Sequence, residues 1–148
     1  MAIKRMDHVG VAVHDLKAAI AFFEELGMEH VGGSPVSGDW VDSVNGLQDV
    51  RLEMAMLRTP DGHSQLELMQ FENPPASTAE PSAPANTIGY RSVMFAVDDI
   101  HDTVARLEPH GGELIGEITQ FESIFLLCYL RGPSGVIVAL AEELDGKN

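Results

Sequence analysis

The chain alternates short apolar runs with polar breaks, and one order of runs occurs twice. The first run, His8-Val9-Gly10-Val11-Ala12-Val13, stops at His14-Asp15; the second, Ser92-Val93-Met94-Phe95-Ala96-Val97, stops at Asp98-Asp99. Asp15 and Asp99 stand 84 positions apart, as do His8 and Ser92. Each run reads as a strand, and each aspartate suits the N-cap of a following helix. Leu16, Ala19, Ile20, Phe23 and Leu26 recur at helical spacing and predict a helix stopped by Gly27. Ile100, Thr103, Val104 and Leu107 predict its counterpart, stopped by Gly111-Gly112. Short strands are expected next, over 28–31 and 113–115. Each half then closes with two strands around a proline–glycine turn: 50–57 and 65–71 around Pro60-Asp61-Gly62, and 123–130 and 136–141 around Pro133-Ser134-Gly135.

Between the halves, residues 72–87 carry Pro74, Pro75, Pro81 and Pro84 among small polar residues, with little to bury. The chain therefore reads as an α+β fold of two β-α-β-β-β modules, residues 5–71 and 88–144, joined by a linker over 72–87. Neither module could bury an apolar face alone, so the pair is expected to form one domain over 1–148 with combined sheets.

Composition narrows the partners. Nine Lys and Arg against 23 Asp and Glu give a formal net charge of −14. That balance opposes nucleic acid, which needs a basic surface, and opposes an anionic membrane surface. Cys128 is the single cysteine, so no intrachain disulfide and no cysteine-based zinc site can form. With no signal-like or bilayer-length apolar run either, a cytoplasmic protein is the expectation. No phosphate-cradling glycine loop or dinucleotide fingerprint is present, so no nucleotide or flavin cofactor is expected.

Asp7-His8-Val9-Gly10-Val11-Ala12-Val13, Phe22-Phe23-Glu24-Glu25-Leu26-Gly27, Pro60-Asp61-Gly62 with Leu66-Glu67-Leu68, and the repeat of that plan after the linker resemble the vicinal oxygen chelate superfamily. Glyoxalase I, methylmalonyl-CoA epimerase, extradiol dioxygenases, and fosfomycin and bleomycin resistance proteins belong to it. The resemblance implies cupped mixed sheets and two metal ligands per module, one on its first strand and a Glu on its last. His8 and Glu67 match those positions in the first module, with Zn, Ni, Mn or Fe as the expected divalent metal. In the second module Ser92 and Ala139 stand where ligands would be, so two of four ligand positions are lost. A homodimer is expected by the same analogy.

Other side chains weigh against plainer roles. His8 lies in phase with Gly10 and Ala12, small residues that leave room above the sheet. Glu67 shares its strand face with Gln65 and Met69, a mixture more like a cavity lining than a wetted surface. Glu53, on an otherwise apolar strand, is the candidate catalytic base, with its face left open because a one-residue slip reverses it. Trp40 lies in a long segment between strands and reads equally as pocket wall or edge plug. Tyr90, Arg91 and Tyr129 are candidate substrate contacts near the second module's cup, and Arg131 is a further cation there.

The leading functional expectation is a glyoxalase-like, divalent-metal-dependent lyase or isomerase acting on a small oxygenated substrate. The alternative is a metal-free small-molecule binding protein of the antibiotic-resistance type, favoured by Ser92 and Ala139. A dioxygenase-like oxidoreductase ranks third, because the two-His-one-carboxylate set is incomplete.

Overall fold

A computed structural model describes residues 3–77 and 79–144. The chain divides into two compact units, Met1–Thr78 and Ala79–Asn148. The first holds strand β1 (Val9–Ala12), helix α1 (Leu16–Leu26), β2 (Glu29–Ser37), helix α2 (Asp39–Asn45), β3 (Arg51–Arg58) and β4 (Gln65–Asn73). Its sheet runs β1-β4-β3-β2, with β1 parallel to β4 and the other pairs antiparallel. The second holds β5 (Ser92–Ala96), α3 (Ile100–Leu107), β6 (Glu113–Leu114), β7 (Thr119–Phe121), β8 (Phe125–Arg131) and β9 (Ile137–Glu143). Its sheet runs β5-β9-β8-β6, with β7 beside β8 and β5 parallel to β9.

The duplication extends to single hydrogen bonds. Asp15 Oδ1 accepts from Ala18 N at 3.0 Å, and Asp99 Oδ1 accepts from Asp102 N at 2.9 Å, so both aspartates cap as expected. Leu16 N donates to Gln70 Oε1 at 2.8 Å, and Ile100 N donates to Glu142 Oε1 at 2.8 Å. In each unit, then, a side chain on the last strand takes the first N–H of the helix and ties it to the sheet. Val13 N reaches Met69 O, and Val97 N reaches Ala141 O, both at 2.8 Å. The caps satisfy donors that a helix cannot pair internally. Asp15→Ala is expected to cost about 1 kcal/mol, read as a lower urea midpoint with an unchanged slope.

Each helix covers one sheet face. Ala19, Phe22 and Phe23 of α1 are buried, as are Ala55, Leu57, Leu66 and Leu68 on the strands α1 packs against. In the second unit Ile100, Thr103, Val104 and Leu107 of α3 are buried, with Cys128, Leu130, Val138 and Leu140 buried on β8 and β9. Burial pushes the Cys128 thiol pKa up, in keeping with a small buried hydrophobe rather than a nucleophile.

The observed elements depart from the sequence pattern in four places. β2 runs to Ser37 rather than stopping at 31, because Gly32, Gly33, Ser34 and Pro35 extend an exposed edge strand that carries no apolar alternation. The segment containing Trp40 is α2, anchored to β3 when Asp42 Oδ1 accepts from Val50 N at 2.8 Å. β4 continues through Glu72 and Asn73, into the stretch read as linker. β7 is an added short strand. Among the described residues no helix is long and apolar enough to cross a membrane.

Candidate functional site

The face of the first sheet opposite α1 is assembled by register. β3 and β4 pair Leu52 with Phe71, Met54 with Met69 and Met56 with Glu67, while β1 and β4 pair Gly10 with Glu67 and Ala12 with Met69. Cross-strand partners share a face, so these residues line one surface. α2 covers one end of it: Val41, Val50 and Leu52 form a buried cluster packed with Val36, Met54, Met69 and Phe71. The sequence pattern predicts open space above Gly10. The structure partly fills it, since a Cβ on Gly10 would lie 3.2 Å from the Met69 methyl.

His8, one residue before β1, keeps the phase of Gly10 and brings its imidazole onto this face. Its Nε2 lies 3.4 Å from Glu67 Oε2, and its Nδ1 lies 2.8 Å from Asp7 Oδ2. Arg5 Nη2 donates to Asp7 Oδ1 at 2.9 Å. The hydrogen bond from His8 holds the Asp7 carboxyl below its ordinary range, with Arg5 adding to the effect. Asp7 is thus a carboxylate at neutral pH and can only accept, which assigns the proton to His8 Nδ1. A neutral His8 then turns the Nε2 lone pair toward a carboxylate oxygen. The 3.4 Å gap between the two suits either a proton carried on the ring or a metal ion.

The pair fits a metal in spacing and chemistry. Two ligands about 2.1 Å from a tetrahedral ion stand about 3.4 Å apart. Imidazole nitrogen with carboxylate oxygen suits Zn, Ni, Mn and Fe alike. Side-chain exposures of 35% for His8 and 24% for Glu67 leave the space between them accessible. Among the described residues no group of three or more His, Cys, Asp or Glu could hold an ion, so the protein donors at this point number two.

The structure brings His8 and Glu67 together but separates Glu53 from them. Glu53 pairs with Gln70 and Pro35, whereas Met56 pairs with Glu67. Three positions separate Glu53 from Met56 along an unbroken ladder, so Glu53 points to the α1 face. The expectation that it serves as the base beside the metal pair is corrected on that ground. Trp40 stands on α2, the helix covering one end of the His8–Glu67 face, and is 64% exposed.

The remaining candidates lie in the second unit. Met94 and Tyr129 both pair with Ala139, so Met94–Ala139 is the rung equivalent to Gly10–Glu67, and Tyr129 occupies the position of Met56. This rung makes Ala139 the counterpart of Glu67. Tyr90 is fully exposed ahead of β5, and the buried Arg91 Nε has no hydrogen-bond partner among the described residues. Arg131 is engaged locally: Nη1 donates to Gly135 O at 3.1 Å and Nη2 to Ala83 O at 3.0 Å. Sequence reasoning missed Asp7 as the residue that orients His8. The signal was its adjacency, a carboxylate next to an imidazole at a strand start.

Comparison with known proteins agrees with this architecture. The family model described as the Glyoxalase/Bleomycin resistance protein/Dioxygenase superfamily matches residues 5–140. A glyoxalase family protein from Bacillus cereus is 46% identical, with a TM-score of 0.94 over 97% of each chain. An uncharacterized Bacillus subtilis protein, YwbC, is 30% identical over 89% of this chain and 92% of its own length. The fosfomycin resistance protein FosX of Listeria monocytogenes, solved in a mutant form with Mn(II) and 1S,2S-dihydroxypropylphosphonic acid, shares the fold at 13% identity. Its TM-score is 0.61 over 94% of this chain and 90% of its own.

Proposed function

The chain belongs to the Glyoxalase/Bleomycin resistance protein/Dioxygenase superfamily, and on that footing we propose that it is a glyoxalase-type lyase or isomerase that uses one divalent cation held by His8 and Glu67. The observation carrying this reading is the 3.4 Å approach of His8 Nε2 to Glu67 Oε2, with the other ring nitrogen bound to Asp7. Bound there, a divalent ion supplies Lewis acidity toward two neighbouring oxygens of a small substrate.

The chain's own residues do the rest. Asp7 fixes the tautomer and plane of the His8 ring, as carboxylates behind metal-binding histidines do. With two protein donors, the remaining positions stay open to water or substrate oxygens. Met54, Met56 and Met69 give a soft apolar floor that excludes water and adapts to a substrate's carbon skeleton. Helix α2 walls one end, with Trp40 on it. Since Glu53 faces away, we assign to Glu67 the task of accepting a proton from a substrate carbon. Tyr129, Tyr90 and Arg91 remain proposed substrate contacts of the second module, and a homodimer is part of the same reading.

Asp7→Asn is expected to weaken metal binding by about tenfold to a hundredfold while leaving the stoichiometry intact. Metal titration by competition with a chromophoric chelator measures it. Because the Asp7 carboxyl is held low, its grip on His8 persists through neutral pH and fades only in acid, as pH falls through its depressed value.

A second reading, a metal-free binding protein, is favoured by one observation. In the second unit Ser92 and Ala139 stand where His8 and Glu67 stand in the first, and the buried Ala139 offers no donor. A substrate screen run with and without a chelator separates the two. Turnover abolished by chelation and restored by a divalent ion supports the lyase or isomerase; ligand binding indifferent to the chelator supports the second reading.

A further inference from the structure

The α1 face of the first sheet carries a hollow of about 510 Å³, on the opposite side from His8 and Glu67. It is a shallow trough open to solvent, so a ligand would lie along it with one side exposed. Leu16 and Ile20 line it from α1, Gly33, Ser34 and Pro35 from β2, and Glu53 from β3. Its floor is bare for a steric reason: a Cβ on Gly33 would stand 2.6 Å from Met54 O, so no side chain fits there. Half-buried Leu16 and Ile20 therefore present apolar surface across an unfilled trough.

Glu53 supplies the charge. It is half-buried, and among the described residues it has no hydrogen-bond or ion-pair partner. Its cross-strand neighbours give it none among the described residues: Pro35 lacks an N–H, and Gln70, whose Oε1 accepts from Leu16 N, makes no hydrogen bond to it. A carboxylate beside an apolar trough selects a cation with a hydrocarbon body and rejects an anion. The chain's net charge of −14 draws cations toward it as well.

We infer that this hollow binds a small amphiphilic amine, its ammonium group paired with Glu53 and its apolar body lying over Gly33 against Leu16 and Ile20. Met54 borders both faces, but neither His8 nor Glu67 reaches the hollow, and it does not depend on a metal. That separation removes Glu53 from the chemistry of the other face and gives it a separate task.

The test is a titration of the uniformly ¹⁵N-labelled chain with 2-phenylethylamine, followed by amide shifts, with 3-phenylpropanoate as the anionic counterpart. Saturable shifts centred on Leu16, Ile20, Gly33, Ser34 and Ala55 are expected, with the amine binding at least tenfold more tightly than the acid. Glu53→Gln should weaken the amine at least tenfold, while Glu53→Asp retains more of the affinity and Ile20→Ala weakens both probes. Metal content should be the same in all three variants and the native chain. Three results would each overturn the proposal: no saturable shift, shifts centred on His8 and Glu67, or equal affinity in the native chain and a Glu53→Gln variant whose spectrum stays dispersed.

Discussion

Glu67→Gln and His8→Ala are each expected to lower divalent-metal affinity by more than the about hundredfold upper figure for an outer-sphere partner, with the fold intact. The size follows from the donor count. With two protein ligands on this face, removing either leaves a single side chain against free water, which holds no ion at micromolar concentration. Glu67→Gln keeps the side chain's shape and strips its charge, so lost affinity there reads charge and donor strength rather than packing. Both residues are partly exposed, so the urea midpoint should move little, because surface changes usually stay within about 0.5 kcal/mol. A variant that loses metal and unfolds together would point instead to a structural role for the pair. Asp7→Asn, which touches His8 and no metal, should sit between these variants and the native chain.

Gly135→Ala is expected to cost about 3 kcal/mol, for two additive reasons. Gly135 has φ +86°, in the left-handed region where an L side chain is strained by about 1–2 kcal/mol. Its missing Cβ is also a contact surface: an added methyl would lie 2.7 Å from Pro81 Cα and 2.8 Å from Pro81 C. The stretch around Pro81 cannot give way freely, because Arg131 donates to both Gly135 O and Ala83 O and pins the turn and that stretch together. Overpacking of this kind costs about 1–3 kcal/mol. Urea unfolding of Gly135→Ala measures the sum. Stability within about 0.5 kcal/mol of the native chain would show that the segment near Pro81 is not held against this turn. Arg131→Met gives the companion result, a smaller loss with easier proteolysis near residues 79–84.

The repeat is legible because it is written in local chemistry. Two aspartates capping two helices, two proline–glycine turns and matched apolar runs each act over a few residues, and each appears at its expected place. The ties from Gln70 and Glu142 to the helix starts are not legible, since they join positions 54 and 42 residues apart. The full length of β2 escapes a local reading because an exposed edge strand needs no apolar alternation, and Gly32-Gly33-Ser34-Pro35 resembles a turn. Its pairing with β3 supplies the order that local propensity does not.

The candidate site divides along the same line. His8 and Glu67 stand out as a polar pair at matched places on strands, and the parallel register of β1 and β4 brings them together. Asp7 is visible beside His8, but its orienting role needs the 2.8 Å contact. The face of Glu53 cannot be read from the sequence, because alternation fixes relative sides and only the ladder to Gln70 and Pro35 sets which side is which. The methionine floor has the same origin, since Met54 and Met56 acquire their meaning from the partners opposite them.

On the proposed function, His8 and Glu67 share a divalent ion. Elemental analysis tests it most directly, on the purified chain and its His8→Ala variant after equilibration with Zn, Ni, Mn or Fe(II) and removal of loose ion. One tightly held equivalent of at least one of these metals in the native chain, absent from the variant, is the predicted result. A native chain that retains none of the four, or a variant that retains as much as the native chain, would contradict it.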